Sequence, residues 1–113
     1  MGMKKLFRCS VCGYVHEGEE APGKCPKCGQ GADKFQELPA EAAEKIYRSD
    51  KTNGLHMEVI TLAEKIIALC DAGIEDNLDP KCLNAFKNAK NEAWVMKQRA
   101  KAELAGHMSL GKW

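Results

Sequence analysis

Four cysteines in two tight pairs, Cys9-Ser-Val-Cys12 and Cys25-Pro-Lys-Cys28, constrain this chain more than any other feature. Two residues separate the members of each pair and twelve separate the pairs. That spacing lets two short loops each offer two thiolates to one ion, closing a tetrahedral four-sulfur site. Each pair is followed by a glycine, Gly13 or Gly29. A loop that turns its backbone N–H groups toward sulfur needs a residue tolerant of positive φ at that point. Such N–H···S contacts offset thiolate charge and tune a redox-active metal. Pro26 stiffens the second loop, and Pro22-Gly23 reads as the turn leading into it.

The segment around these cysteines is poor in large apolar residues. Leu6, Phe7, Val11, Tyr14, Val15, Phe35 and Leu38 are the expected core, too small to fold by burial alone. Metal ligation must contribute much of the folding free energy, on the order of 10 kcal/mol for a four-ligand site. Four thiolates bind iron and zinc alike, so spacing leaves the ion open. His16 is a possible further ligand, but four cysteines already complete a tetrahedron, and a surface position on the first hairpin is the simpler reading.

The runs Cys-Ser-Val-Cys-Gly-Tyr-Val-His-Glu-Gly (9–18) and Ala-Pro-Gly-Lys-Cys-Pro-Lys-Cys-Gly (21–29), with Phe35, resemble the rubredoxin-like domain of rubrerythrins. The short gap between the pairs is the rubrerythrin version of the motif, and the resemblance covers about a third of the chain. It implies one mononuclear iron per chain, ligated by Cys9, Cys12, Cys25 and Cys28 and passing single electrons, with zinc as the alternative. Exposed loop residues such as Val11 and Lys27 would then form the electron entry.

After Leu38 the pattern becomes helical. The expected division is a metal-binding ribbon at 1–38 and a helical domain at 39–113, with helices at about 40–49, 55–72 and 80–105. The polar run Ser49-Asp-Lys-Thr-Asn-Gly54 reads as a break or bend, with one long helix as the alternative. Leu55, Val59, Leu62, Ile66 and Leu69 alternate by four and three beside Ile60, Ala63, Ile67 and Cys70. So broad an apolar face is expected to be largely buried. Gly73-Ile74 reads as a helix stop, Asp79-Pro80 as the N-cap and first residue of the next helix, and Gly106 as its end. Along that last helix, Phe86, Ala89, Ala93, Met96 and Ala100 form a small-residue seam with Leu83, Trp94 and Leu104 alongside. The fold class is therefore a small metal-bound β-ribbon of rubredoxin type followed by an α-helical hairpin. A hairpin of two long helices leaves an apolar side exposed; the economical cover is a dimer forming a four-helix bundle, with the ribbon or a different protein as the alternatives.

Rubrerythrins pair their rubredoxin-like domain with a diiron bundle built on Glu-x-x-His motifs. This chain contains no Glu-x-x-His: His107 follows Glu103 by four residues, and the residue three before His56 is Asn53. The family's peroxidase site therefore does not carry over. Three functions remain on the table: an electron-transfer protein, a zinc-ribbon interaction module, and a degenerate peroxide reductase. Ribbon-first order resembles the reverse rubrerythrins.

Lys plus Arg number 17 against 16 Asp plus Glu, which gives no nucleic-acid footprint. No apolar run is long enough for a bilayer, and the N-terminal residues lack a signal-peptide core. Paired cysteines without export point to metal binding in a reducing compartment, the cytoplasm, rather than to disulfides. The electron-transfer function that the resemblance implies adds a redox protein as partner, of unknown identity. Weaker features have plainer readings beside them. His56-Met57 are conceivable haem ligands but more simply packing residues. Cys70 and Cys82 form either a redox pair or two buried reduced thiols. Glu75-Asp-Asn-Leu-Asp79 is a docking loop or a solvated connection, and the tail His107–Trp113 packs or docks.

Overall fold

The computed structural model describes residues 3–113. They form two compact units, one reaching to Ile46 and one spanning Tyr47–Trp113. The sequence suggests a division after Leu38, but the first turns of the long helix group with the ribbon.

The ribbon is a three-stranded antiparallel sheet in the order β2-β1-β3, with β1 at Lys5–Cys9, β2 at Val15–Gly18 and β3 at Phe35–Glu37. The central strand pairs Phe7 with His16 on one side and with Glu37 on the other. Leu6 and Cys9 are its buried positions. Tyr14 and Phe35 meet edge to face with ring centroids 6.4 Å apart, a favoured aromatic geometry. Val11, expected in the core, is instead 55% exposed. It sits in the tight turn between two ligand cysteines, where a side chain has only solvent to face.

The helical unit contains α2, Pro80–Ser109, and most of α1, Ala40–Asp76. The expected break at 49–54 is absent, and α1 is continuous through it. No proline interrupts the hydrogen-bond ladder there, and the polar residues divide between two environments. Asp50, Lys51, Thr52 and Gly54 face solvent, whereas Ser49 and Asn53 are buried. Their side chains donate to the Lys112 carbonyl, Ser49 Oγ at 2.6 Å and Asn53 Nδ2 at 2.7 Å. A run that looks like a loop is thus helical, with one polar face bonded to the Lys112 carbonyl.

Both expected glycine stops also move. The α1 helix ends at Asp76, followed by Asn77 at φ 50°. Asn77 N–H donates to the Gly73 carbonyl at 3.2 Å, an αL cap that asparagine tolerates. The Asp79 carboxylate caps α2 as expected, accepting from Cys82 N–H at 2.7 Å, with Pro80 at the first helical position. At the far end the helix passes Gly106 and stops at Gly111, φ 75°. Lys112 N–H reaches the His107 carbonyl at 2.8 Å and Gly111 N–H that of Met108 at 3.4 Å, the paired bonds of a Schellman motif.

The helices meet along Asn53, His56, Ile60, Ala63, Ile67 and Cys70 of α1, all buried or half-buried. Opposite, Ala93, Ala100 and Leu104 are buried. Small residues on both sides allow close approach. Lys90–Asp71 at 2.6 Å and Lys97–Glu64 at 3.8 Å tie the flank. Leu55, Val59, Leu62, Ile66 and Leu69, expected to be buried, are exposed in the single chain, as are Trp94 and Met96.

Gly73 has a different task from the one its type suggests. A Cβ there would overlap Cε2 of Phe86, so the position is where an aromatic ring crosses the α1 backbone. Gly73→Ala should gain about 1 kcal/mol of helix propensity. Overpacking should cost more, about 1–3 kcal/mol. A lower urea midpoint is the expected outcome, and an unchanged or higher one would remove the close contact from the account.

Candidate metal centre

The first ligand pair spans the end of β1 and the turn after it; the second lies in the loop that precedes the 3-10 turn Ala32–Lys34. The two loops repeat the same backbone pattern. In the first, Gly13 N–H donates to the Cys9 carbonyl at 2.9 Å, and Cys9 N–H donates to the Tyr14 carbonyl at 2.8 Å. In the second, Gly29 N–H donates to the Cys25 carbonyl at 2.9 Å, and Cys25 N–H to that of Gln30 at 2.7 Å. Both glycines carry the positive φ that this closure demands, 82° and 80°. The Lys24–Gly31 bridge closes the second loop, and Ser10 N–H to the Lys34 carbonyl at 2.9 Å ties the first to the turn before β3.

The four sulfur atoms lie within 4.8 Å of one another. Cys9 and Cys28 sulfurs are 3.7 Å apart, those of Cys12 and Cys25 3.6 Å. Four sulfurs about 2.3 Å from one tetrahedral centre are separated by about 3.8 Å. The donor set therefore fits a single thiophilic ion. Cys9 and Cys25 are buried and Cys12 and Cys28 half-buried.

The local fields are those of a thiolate site. The N–H groups of Cys12 and Val11 hold the Cys9 thiol below its ordinary value against the opposing effect of burial. Burial opposes ionisation of Cys25 too, but the N–H groups of Cys28 and Lys27 bring it down to about 6. Cys28 receives the N–H of Gln30, yet burial and the three neighbouring sulfurs push it up to about 12. Cys28 holds its proton because negative charges on sulfurs this close repel one another. A bound cation displaces that proton and cancels the repulsion.

Fold and site together define a four-cysteine metal-binding ribbon of rubredoxin type. Residues 7–36 match the family model described as "Rubrerythrin, rubredoxin-like domain". Among curated proteins, the chain is similar to "Reverse rubrerythrin-1" of Clostridium acetobutylicum, at 62% identity over 37 residues. That match covers 33% of this chain and only 20% of the relative. The likeness thus belongs to the ribbon, in agreement with the resemblance read from the cysteine flanks.

The other candidates fall outside this centre. His16 is half-buried on β2, with its ring 6.3 Å from that of Tyr14. Val11 and Lys27 are exposed on the two ligand loops. Met57 is 47% exposed, while His56 packs its ring 6.3 Å from His107 at 76°. Cys70 is buried in the α1 seam and Cys82 half-buried in the first turn of α2; both are free thiols.

One polar cluster escaped the sequence reading. His107 lies within α2, beyond the glycine expected to end it. Its Nδ1 donates to Asn53 Oδ1, and its Nε2 lies 3.2 Å from Glu103. With the Asn53 and Ser49 bonds to Lys112, this cluster fastens the end of α2 to α1. The available signal was an asparagine falling on an apolar seam, which calls for a partner across the interface.

Metal removal, by chelation or by Cys28→Ser, should cost the ribbon on the order of 10 kcal/mol. Amide exchange at Gly13, Gly29 and Leu38 should then become fast while the far-UV helical signal persists. Ribbon amides still protected in the metal-free chain would show that the sulfur cluster is not what holds the fold.

Proposed function

We propose that the protein is a one-electron carrier whose four cysteines hold a single iron, mounted on a helical module that joins two copies. The supporting observation is the pair of matched ligand loops, in which positive-φ glycines let backbone N–H groups face sulfur. Iron in such a site supplies a ferrous–ferric couple. The chain's own contribution is electrostatic and geometric. The N–H groups of Val11, Cys12, Lys27, Cys28 and Gln30 stabilise negative charge on the sulfurs in both oxidation states. Buried Cys9 and Cys25 keep water from one side of the cluster. Exposed Val11 and Lys27 give a redox partner a short approach to the ligand loops.

The likeness to a reverse rubrerythrin extends the reading one step, to an oxygen- or peroxide-reducing enzyme as the terminal acceptor. The diiron chemistry of that family is assigned to such a partner, since this chain lacks the Glu-x-x-His motif. Its compartment in this reading is the cytoplasm, where thiolate sites stay reduced. No helix among the described residues is long and apolar enough to cross a membrane.

Protein purified anaerobically from its native host should be red when oxidised, with sulfur-to-iron charge-transfer absorption that bleaches on reduction. A colourless protein carrying one zinc per chain overturns the carrier and leaves a structural ribbon. More than one iron per chain, or peroxide turnover, would instead make it an enzyme.

A further inference from the structure

The helical unit leaves one apolar feature without a cover. Leu55, Val59, Leu62, Ile66 and Leu69 recur along α1 at alternating steps of four and three, a heptad seam. All five are exposed, Leu69 at 69% and Leu55 and Leu62 at 51%. This seam runs one residue out of phase with the Asn53–Cys70 seam that packs on α2, so it occupies an adjoining face about 100° around the helix. A contiguous stripe of this kind marks an interaction surface.

Its flanking charges say what covers it. On the side turned away from α2, the stripe is bordered by Glu58 and Lys65, both exposed. Among the described residues neither takes part in an ion pair, whereas Glu64 and Asp71 are paired with Lys97 and Lys90 of α2. Glu58 and Lys65 stand one heptad apart at the position just before successive seam residues, Val59 and Ile66. In an antiparallel helix pair those positions on the two helices face one another.

We infer that the stripe is covered by the same stripe of a second copy, the two α1 helices running antiparallel about a two-fold axis near Ile60 and Thr61. In that register Leu55 packs on the partner's Ile66, Val59 on the partner's Leu62, and Thr52 on the partner's Leu69. Glu58 meets the partner's Lys65, and symmetry makes the pair twice. The alternatives are worse on the same residues. A slip of one heptad sets Lys65 against the partner's Lys65 and Leu55 against the partner's Gly73. A parallel pair turns Glu58 and Lys65 toward positions such as Ala63, already buried against α2. The inference rests on the helical unit being the dimerisation module and adds direction, register and the residues that set them.

Sedimentation of the full, metal-loaded chain tests both parts. The native protein is expected to be a dimer. Glu58→Lys and Lys65→Glu should each place like charges together twice and raise the dimer dissociation constant about tenfold or more. The double variant should restore native affinity. A native chain that stays monomeric at all concentrations overturns the dimer and the register together. A dimer indifferent to the single changes, or not restored by the double change, overturns the register while leaving the dimerisation reading intact.

Discussion

Sulfur is the core of the ribbon. Among the described residues of this unit, the buried ones apart from Leu6 are two of the four clustered cysteines, Cys9 and Cys25. The strands are three to five residues long and the aromatic residues only half-buried, so burial alone falls short of chain entropy. The cluster settles the deficit through its ion, and the rest of the unit can be read as the means of holding four sulfurs on a tetrahedron. Antiparallel pairing of β1 with both neighbours brings the two loops together, and two glycines at positive φ turn the peptide N–H groups inward. N–H groups of the loops closed in this way stabilise negative charge on the sulfurs. Loop geometry and charge balance therefore share the same backbone.

The helical unit solves a different problem with different means. Its contact between helices centres on small buried residues, Ala63, Ala93 and Ala100, with Leu104 and the half-buried Ile60 and Ile67 beside them. Close approach substitutes for bulk, and Gly73 carries this furthest by admitting the ring of Phe86. The polar cluster of Ser49, Asn53, His107 and the Lys112 carbonyl closes the far end. Larger apolar residues lie on the adjoining face of α1, where a single chain leaves them in water. A helix with two apolar seams at right angles is what a bundle of more than two helices requires.

The clustering of the four sulfurs was legible residue by residue, because the cysteine spacing and the glycine after each pair are local requirements that no distant contact can rewrite. The helix termini were less so. Gly73, Gly106 and Gly111 look alike in the sequence, yet the first makes room for Phe86, the second sits within the last turn of α2 and the third follows its end. Asn77, not a glycine, ends α1. The run from Ser49 to Gly54 reads as a break from composition, and becomes helix because Ser49 and Asn53 find an acceptor more than fifty residues away.

What the sequence determined by itself was the chemistry: four cysteines in two matched loops, a ribbon with a minimal apolar core, and apolar residues at helical spacing after it. Those follow from local spacing and periodicity. Only the tertiary structure decided which of two apolar seams on α1 serves the chain's own second helix and which faces outward. Sequence periodicity marks a face as apolar, but small residues at one seam let the helices approach, and that choice exists only when both are in place.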